Sequence, residues 1–271
     1  MANILFDSMG VQQQVQDETG NRLTTWTQSL QSLGSGNTIT TSTYATPLSQ
    51  QLSNVDVLVI TTRQFFQATE PPGVGTDPIP VGTCMAYPSV DLLGIPQWVS
   101  NGGGLLMMMN HSGFQAAGPP NDEPIWPVFD IALAASFGIA TAFASFENSA
   151  GGTLSMPPAS LAPSSITTGV TSVQAWDSGG IYLPVSSGPG NGVPLISLPS
   201  SNCSDASGLG YDPSNFVFSA LYPFGGGNVI VLGHSGVAGN AGTNQPSPGQ
   251  IDAASNLTFL NNCVSYLIAP S

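Results

Sequence analysis

Both histidines of this 271-residue chain stand in the same local arrangement. One copy runs Gly102-Gly103-Gly104, an apolar stretch, then Asn110-His111-Ser112-Gly113. The other runs Gly225-Gly226-Gly227, an apolar stretch, then Gly233-His234-Ser235-Gly236. An imidazole placed this way could be a general base toward a serine hydroxyl or a water. Two imidazoles with the carboxylate of Asp7 could make a His/His/carboxylate metal centre. Glycine N–H groups could form an anion nest. The plain alternative is a strand-ending turn, in which histidine bonds to backbone and glycine supplies unusual backbone angles.

The catalytic candidates are thus His111, His234, Asp7, Ser112 and Ser235. Gly233-His234-Ser235-Gly236-Val237 approaches the Gly-x-Ser-x-Gly nucleophile elbow but lacks its last glycine. An adjacent His and Ser rarely form the productive pair, so His111 would have to serve Ser235. The ligand-binding candidates are Arg63, Asn110, Gly113, Gly236 and Glu123. Arg63 is one of two cationic side chains and directly follows a strand exit. It could hold a substrate carboxylate or pair with a neighbouring Asp. Glu123, with Asp122, trails the His111 loop, and both also suit helix caps. Cys84, Cys203 and Cys263 match no zinc spacing. Cys203 and Cys263 could pair in an oxidising compartment, or Cys263 could be a buried thiol. No resident metal and no cofactor is expected.

The elements that position these residues follow from hydrophobic pattern. Residues 3–6, 38–44, 55–60, 105–109 and 228–233 are apolar or β-branched runs of strand length. The runs at 55–60, 105–109 and 228–233 are nearly continuous, as in strands covered on both faces. Helical spacing covers 21–33, 90–100, 124–136 and 251–268. In the second helix Val90, Leu93, Trp98 and Val99 are expected inward, with Pro96 interrupting the simple version. Residues 61–88 form a Pro/Gly-rich excursion, and 140–223 alternate short β-prone runs with turns. The fold class expected is α/β: three layers, a mostly parallel sheet with helices on both faces, plus a β-rich insertion or edge extension. One domain spans 1–271, with the insertion at 140–223. In such sheets ligands bind beyond the carboxyl ends of strands, which is where both His-Ser-Gly loops fall.

Composition narrows the partners. Hydrophobic residues are 41% of the chain, enough for a sizeable core, but charged ones are only 6% against roughly 25% in ordinary soluble domains. Lysine is absent and the net charge is −13. Two arginines cannot neutralise a phosphate backbone, so nucleic acid is excluded as a partner. No apolar run reaches the roughly 20 residues of a membrane helix, so no membrane insertion is expected. The low charge suits an extracellular or cell-surface setting, although the first residues do not resemble a secretory signal. Self-association or a carbohydrate partner fits the Ser, Thr, Asn and Gln content, with Trp126, Trp176 and Tyr182 as stacking candidates.

Several segments together resemble the class I glutamine-amidotransferase-like, flavodoxin-like α/β domains, including their trehalose-utilisation-like branch. They are Ile4-Leu5-Phe6-Asp7, Val55 to Ile60, Trp98 to Leu106, Phe137-Gly138-Ile139, Gly227 to Ser235, and Asn256 to Asn262. In glutamine-hydrolysing relatives a cysteine on a sharp elbow after a core strand works with a distant histidine and an acid. The matching strand here is Leu105–Met109, and Asn110-His111-Ser112 follows it without a cysteine. The resemblance therefore implies a relative without amidotransferase activity. Three functions follow as expectations: a non-catalytic surface, structural or assembly protein; a hydrolase of a neutral or sugar-like substrate using His111, His234 and Asp7; or a carbohydrate- or cation-binding module.

Overall fold

The apolar runs pair into one sheet because each is buried on both faces and leaves its backbone groups no partner but another strand. The structure, a computed structural model, describes residues 1–9, 16–17, 20–21, 23–33, 36–43, 45–63, 86–110, 128–183, 192–240 and 250–269. In chain order the strands are β1 (Asn3–Phe6), β2 (Gln16–Asp17), β3 (Gly20–Asn21), β4 (Thr38–Thr41), β5 (Val57–Thr61), β6 (Gly104–Met108) and β7 (Thr141–Asn148). They continue as β8 (Leu154–Met156), β9 (Val173–Ala175), β10 (Ser178–Tyr182), β11 (Val193–Ser197), β12 (Cys203–Asp205), β13 (Phe216–Phe224) and β14 (Gly227–Leu232). The α-helices among the described residues are α1 (Thr24–Ser32), α2 (Ser89–Ser100), α3 (Val128–Ser136) and α4 (Asn256–Ile268).

Among the described residues the main sheet has ten strands, in the order β12-β7-β10-β13-β14-β6-β5-β1-β4, with β11 also paired to β13. The stretch β4-β1-β5-β6-β14 is parallel throughout. From β13 onward the pairing is antiparallel. The β-rich segment after residue 140 thus continues the same sheet at one edge. Alternate residues of each core strand face opposite layers. Ile4, Phe6, Val57, Val59, Leu106, Met108, Ile230 and Leu232 share one core with α1 and α4. Leu5, Leu58, Ile60, Leu105, Met107, Val229 and Val231 share the other with α2 and α3. This is the expected three-layer α/β arrangement.

Close approach explains the glycine triplets before β6 and β14. A Cβ on Gly227 would sit on the carbonyl oxygens of Gly103 and Val99, and one on Gly103 would sit in the Trp98 ring. The termini of distant elements are also joined by side chains. Leu23 at the start of α1 offers no capping side chain, and the Oδ1 of Asn240 accepts the Thr25 N–H instead, across 215 residues of sequence.

One expected face is corrected. In α2 Val90 and Leu93 point to solvent, at 42% and 75% exposure, while Asp91, Ile95, Pro96 and Val99 are buried. The spacing of Asp91, Ile95 and Val99 is an equally good helical stripe, and its first member is an acid. The Asp91 carboxylate accepts the N–H groups of Leu48 and Ser49 and the Ser49 hydroxyl, so burial of its charge is compensated. Gly94 lies so close to Ser49 that a Cβ would meet the Ser49 side chain at 2.6 Å. The helix runs through Pro96, whose ring is buried. Leu93→Ser should therefore leave the urea midpoint almost unchanged, within about 0.5 kcal/mol. Ile95→Ala should cost about 2–5 kcal/mol in the same titration.

Candidate functional site

The parallel order β4-β1-β5-β6-β14 reverses direction at β1, because the chain goes first to β4 on one side and then to β5 on the other. The crevice beyond the carboxyl ends of β1 and β5 is the topological switch point, where open α/β sheets bind ligands. Two of the predicted site residues meet there. Asp7 leaves β1 and Arg63 leaves β5, and their side chains form a buried bidentate pair. Arg63 Nε donates to Asp7 Oδ2 at 2.6 Å, and Nη2 donates to Oδ1 at 3.0 Å. Of the two options for Arg63, pairing with an Asp is the one realised.

Further groups converge on this pair. The guanidinium lies 4.0 Å from the centre of the Tyr87 ring. Burial works against the charge on Arg63, but the Asp7 carboxylate, together with Tyr87 and Asp91, more than compensates and holds the guanidinium protonated beyond its ordinary range. Burial pushes the Tyr87 hydroxyl well up, with Arg63 opposing. That hydroxyl has no hydrogen-bond partner among the described residues. Behind the pair, Asp130 of α3 is fully buried and accepts the Thr62 hydroxyl, with the Arg63 N–H at 3.4 Å. Burial pushes the Asp130 carboxyl up to about 7, against the pull of its hydrogen bonds. A hollow of about 350 Å³ opens alongside, lined by Asp7, Ser42, Thr46, Leu48, Arg63 and Asp91. A larger hollow of about 690 Å³ lies at the amino-terminal end of the sheet around Asp56 and Asn101.

The second predicted cluster sits at the end of β14. Gly233 leads into His234, and Ser235 to Ala238 form a short 3-10 turn. The Gly236 N–H donates to His234 Nδ1 at 3.0 Å, which places the proton of a neutral ring on Nε2. Nε2 lies 2.9 Å from Oδ1 of Asp177. Both ring nitrogens therefore face internal groups. His234, Asp177 and Ser235 are all buried. β10 starts across this end: the Gly179 N–H donates to the Gly233 carbonyl, and a Cβ on Gly179 would strike the Asn110 carbonyl. Asn110 itself is buried at the end of β6, and the Met109 N–H donates to Leu232. The loops after β6 and β14 thus leave from neighbouring strands on the same side.

His111, Ser112, Gly113 and Glu123 lie outside the described residues, as do Asp122, Trp126 and Cys84. Among the described residues no three His, Cys, Asp or Glu side chains gather as a metal site. Cys203 and Cys263 are free thiols, both raised by burial, Cys203 to about 11. Trp176 is half-buried, and Tyr182 is tilted against Phe216 at 4.4 Å. Asp130, Tyr87, Asp91 and Asp177 were missed in the sequence. The available signal was an acid inside an apolar helix (Val128-Phe129-Asp130-Ile131) in a chain with few charges, and an acid before a glycine pair (Asp177-Ser178-Gly179-Gly180).

No family model and no curated protein matches the chain. Solved structures do. The mmIFT52 N-terminal domain aligns over 99% of this chain and 98% of its own, at 15% identity and a TM-score of 0.59. Cytoplasmic protein STM1381 from Salmonella typhimurium LT2 aligns over 98% and 99%, at 15% identity and a TM-score of 0.51. A protein described as ThuA-like, from Bacteroides uniformis ATCC 8492, aligns over 96% and 88% at 13% identity, with a TM-score of 0.44. At these identities the first two likenesses establish a shared fold.

Two outcomes test the reading of this site. Arg63→Ala leaves a buried carboxylate without its partner and should destabilise the chain by about 3–5 kcal/mol in urea unfolding, with Arg63→Lys recovering only part. The proton on Asp130 is held more tightly in the folded chain than in the unfolded one. Its stabilising effect is complete below about pH 4 and is lost as pH rises through about 7. Asp130→Asn should shrink the fall in stability between about pH 5 and pH 8, since an amide still serves the Thr62 hydroxyl and the Arg63 N–H.

Proposed function

We propose that the chain is a non-catalytic structural or assembly protein built on an amidotransferase-like domain. The observation that carries this reading is the occupation of the reactive groups among the described residues. Both carboxylate oxygens of Asp7 are bonded to Arg63, at the switch point where a ligand would otherwise sit. Both nitrogens of His234 face internal partners, so neither offers a lone pair to a substrate hydroxyl or water. A general base needs an accessible lone pair within hydrogen-bond reach of the proton it removes. The cysteine that glutamine-hydrolysing relatives carry after the corresponding strand is absent, and Asn110-His111-Ser112 stands there.

The compensation of buried charge is also what a scaffold requires. Asp7–Arg63 joins two strand ends, Asp130–Thr62 joins a strand end to α3, and the Asp91 clasp joins α2 to the connector before β5, so each of these groups beside the 350 Å³ hollow has a partner of its own. Such a domain presents its surface and its sheet edges to other proteins.

The test is an activity screen of the intact chain with p-nitrophenyl acetate, p-nitrophenyl glycosides and glutamine, alongside His234→Asn and Asp7→Asn. Wild type should release product no faster than heat-unfolded chain, and both variants should lose thermal stability. Turnover by the wild type that either variant abolishes while remaining folded would overturn the reading in favour of a hydrolase.

A further inference from the structure

The two edges of the main sheet are built very differently. At one end β12 lies against β7, with Ser204 opposite the exposed Glu147 and with Asp205 in the strand itself. Asp205 also holds the loop that follows by accepting the N–H groups of Ser207 and Tyr211. Charge on the strand is a usual guard of an exposed edge. At the other end β4 reads Thr38-Ile39-Thr40-Thr41, with no charge, proline or bulge. Thr38, Thr40 and Thr41 are exposed. No Asp, Glu, Lys, Arg or His occurs between Arg22 and Asp56, so the chain segments on either side of β4 in sequence are uncharged as well.

The backbone register shows which groups the edge presents. Thr38 N–H donates to Ala2 and Ser42 N–H donates to Phe6, so even-numbered residues face β1. Ile39, Thr41 and Thr43 turn their N–H and C=O groups outward. Thr43 is already served. The Gln51 side-chain amide accepts its N–H at 2.9 Å and donates to its carbonyl at 2.9 Å, occupying the place of a neighbouring strand. Ile39 and Thr41 have no such amide among the described residues.

We infer that β4 pairs with β4 of a second copy, antiparallel about a two-fold axis at Thr40, so that two ten-stranded sheets become one. This inference rests on the assembly reading above and names its surface. With Thr40 opposite Thr40, Ile39 of each copy exchanges both backbone hydrogen bonds with Thr41 of the other, and Gln51 ends the pairing at Thr43. The partner must be uncharged along this edge. A second copy satisfies that, because it brings its own uncharged β4, and Ile39 and Thr41 are complementary to themselves about Thr40. The Thr40 pair adds a favourable cross-strand contact.

Sedimentation velocity of the full chain over about 1–100 µM tests the pairing. The expected result is a concentration-dependent dimer. Thr41→Pro removes one outward N–H without touching a bond to β1, and Thr40→Lys sets two ammonium groups together at the axis. Each should weaken the dimer at least about tenfold with unchanged circular dichroism. Mixing Thr40→Lys with Thr40→Glu should restore it. Should Thr41→Pro fail to fold, the Lys/Glu pair decides, because the Thr40 side chain is exposed. A wild type that stays monomeric overturns the pairing. A dimer indifferent to every substitution also overturns it, but leaves an assembly role standing on another surface. The activity screen is independent of both results.

Discussion

A charge taken out of water must find its opposite nearby, and in this chain only two cationic side chains exist to meet fifteen acids. One of the two is spent on Asp7 in the interior. The arrangement around that pair follows from its burial. β1 and β5 must be adjacent and parallel for Asp7 and Arg63 to leave them side by side. Tyr87 must cover the guanidinium face, which fixes the approach to α2. Asp130 must reach the backbone of the residue that carries the guanidinium, which fixes the first turn of α3. The carboxyl-terminal end of the sheet is therefore organised by polar contacts, while hydrophobic layering organises its two faces.

The core was the legible part of the sequence. Val57 to Ile60, Leu105 to Met109 and Val229 to Leu232 admit little besides a strand buried on both faces, and all three are found that way. The α2 face was not legible, because two stripes of similar hydrophobicity run along Ser89–Ser100. The one that won contains an acid whose partners, Leu48 and Ser49, are remote in sequence. The same limit applies to the candidate site. Asp7 and Arg63 could be named from their positions after strands, but Tyr87, Asp130 and Asp177 depend on contacts that only the folded topology creates. Pattern reasoning sees periodicity along the chain, and it does not see a compensating partner in another element.

Histidine in this chain shows how a motif suggestive of chemistry can be held in place by ordinary turn geometry. The His234 ring bonds to the N–H two residues on, and glycine at 236 leaves room for the imidazole, since a Cβ there would collide with the ring. The Asp177 carboxylate on the far side arrives from β10, part of the antiparallel half of the sheet. That half closes over the ends of β6 and β14, with Gly179 thin enough to pass between the Asn110 and Gly233 carbonyls. The strands beyond residue 140 thus complete the parallel core as well as extending it.

The position of β14 between β6 and β13 has a consequence for biosynthesis. The strand that completes the parallel core comes from Gly227–Leu232, and the cap of α1 comes from Asn240. A ribosome releases β1, β4, β5 and β6 long before either is made. Until then β6 is paired on its β5 side alone, and α1 lacks the Asn240 side chain that accepts the Thr25 N–H. Pairings so distant in sequence close slowly, and strand edges left open meanwhile invite wrong partners. Closure of the parallel core is thereby a late event, set by the arrival of β14.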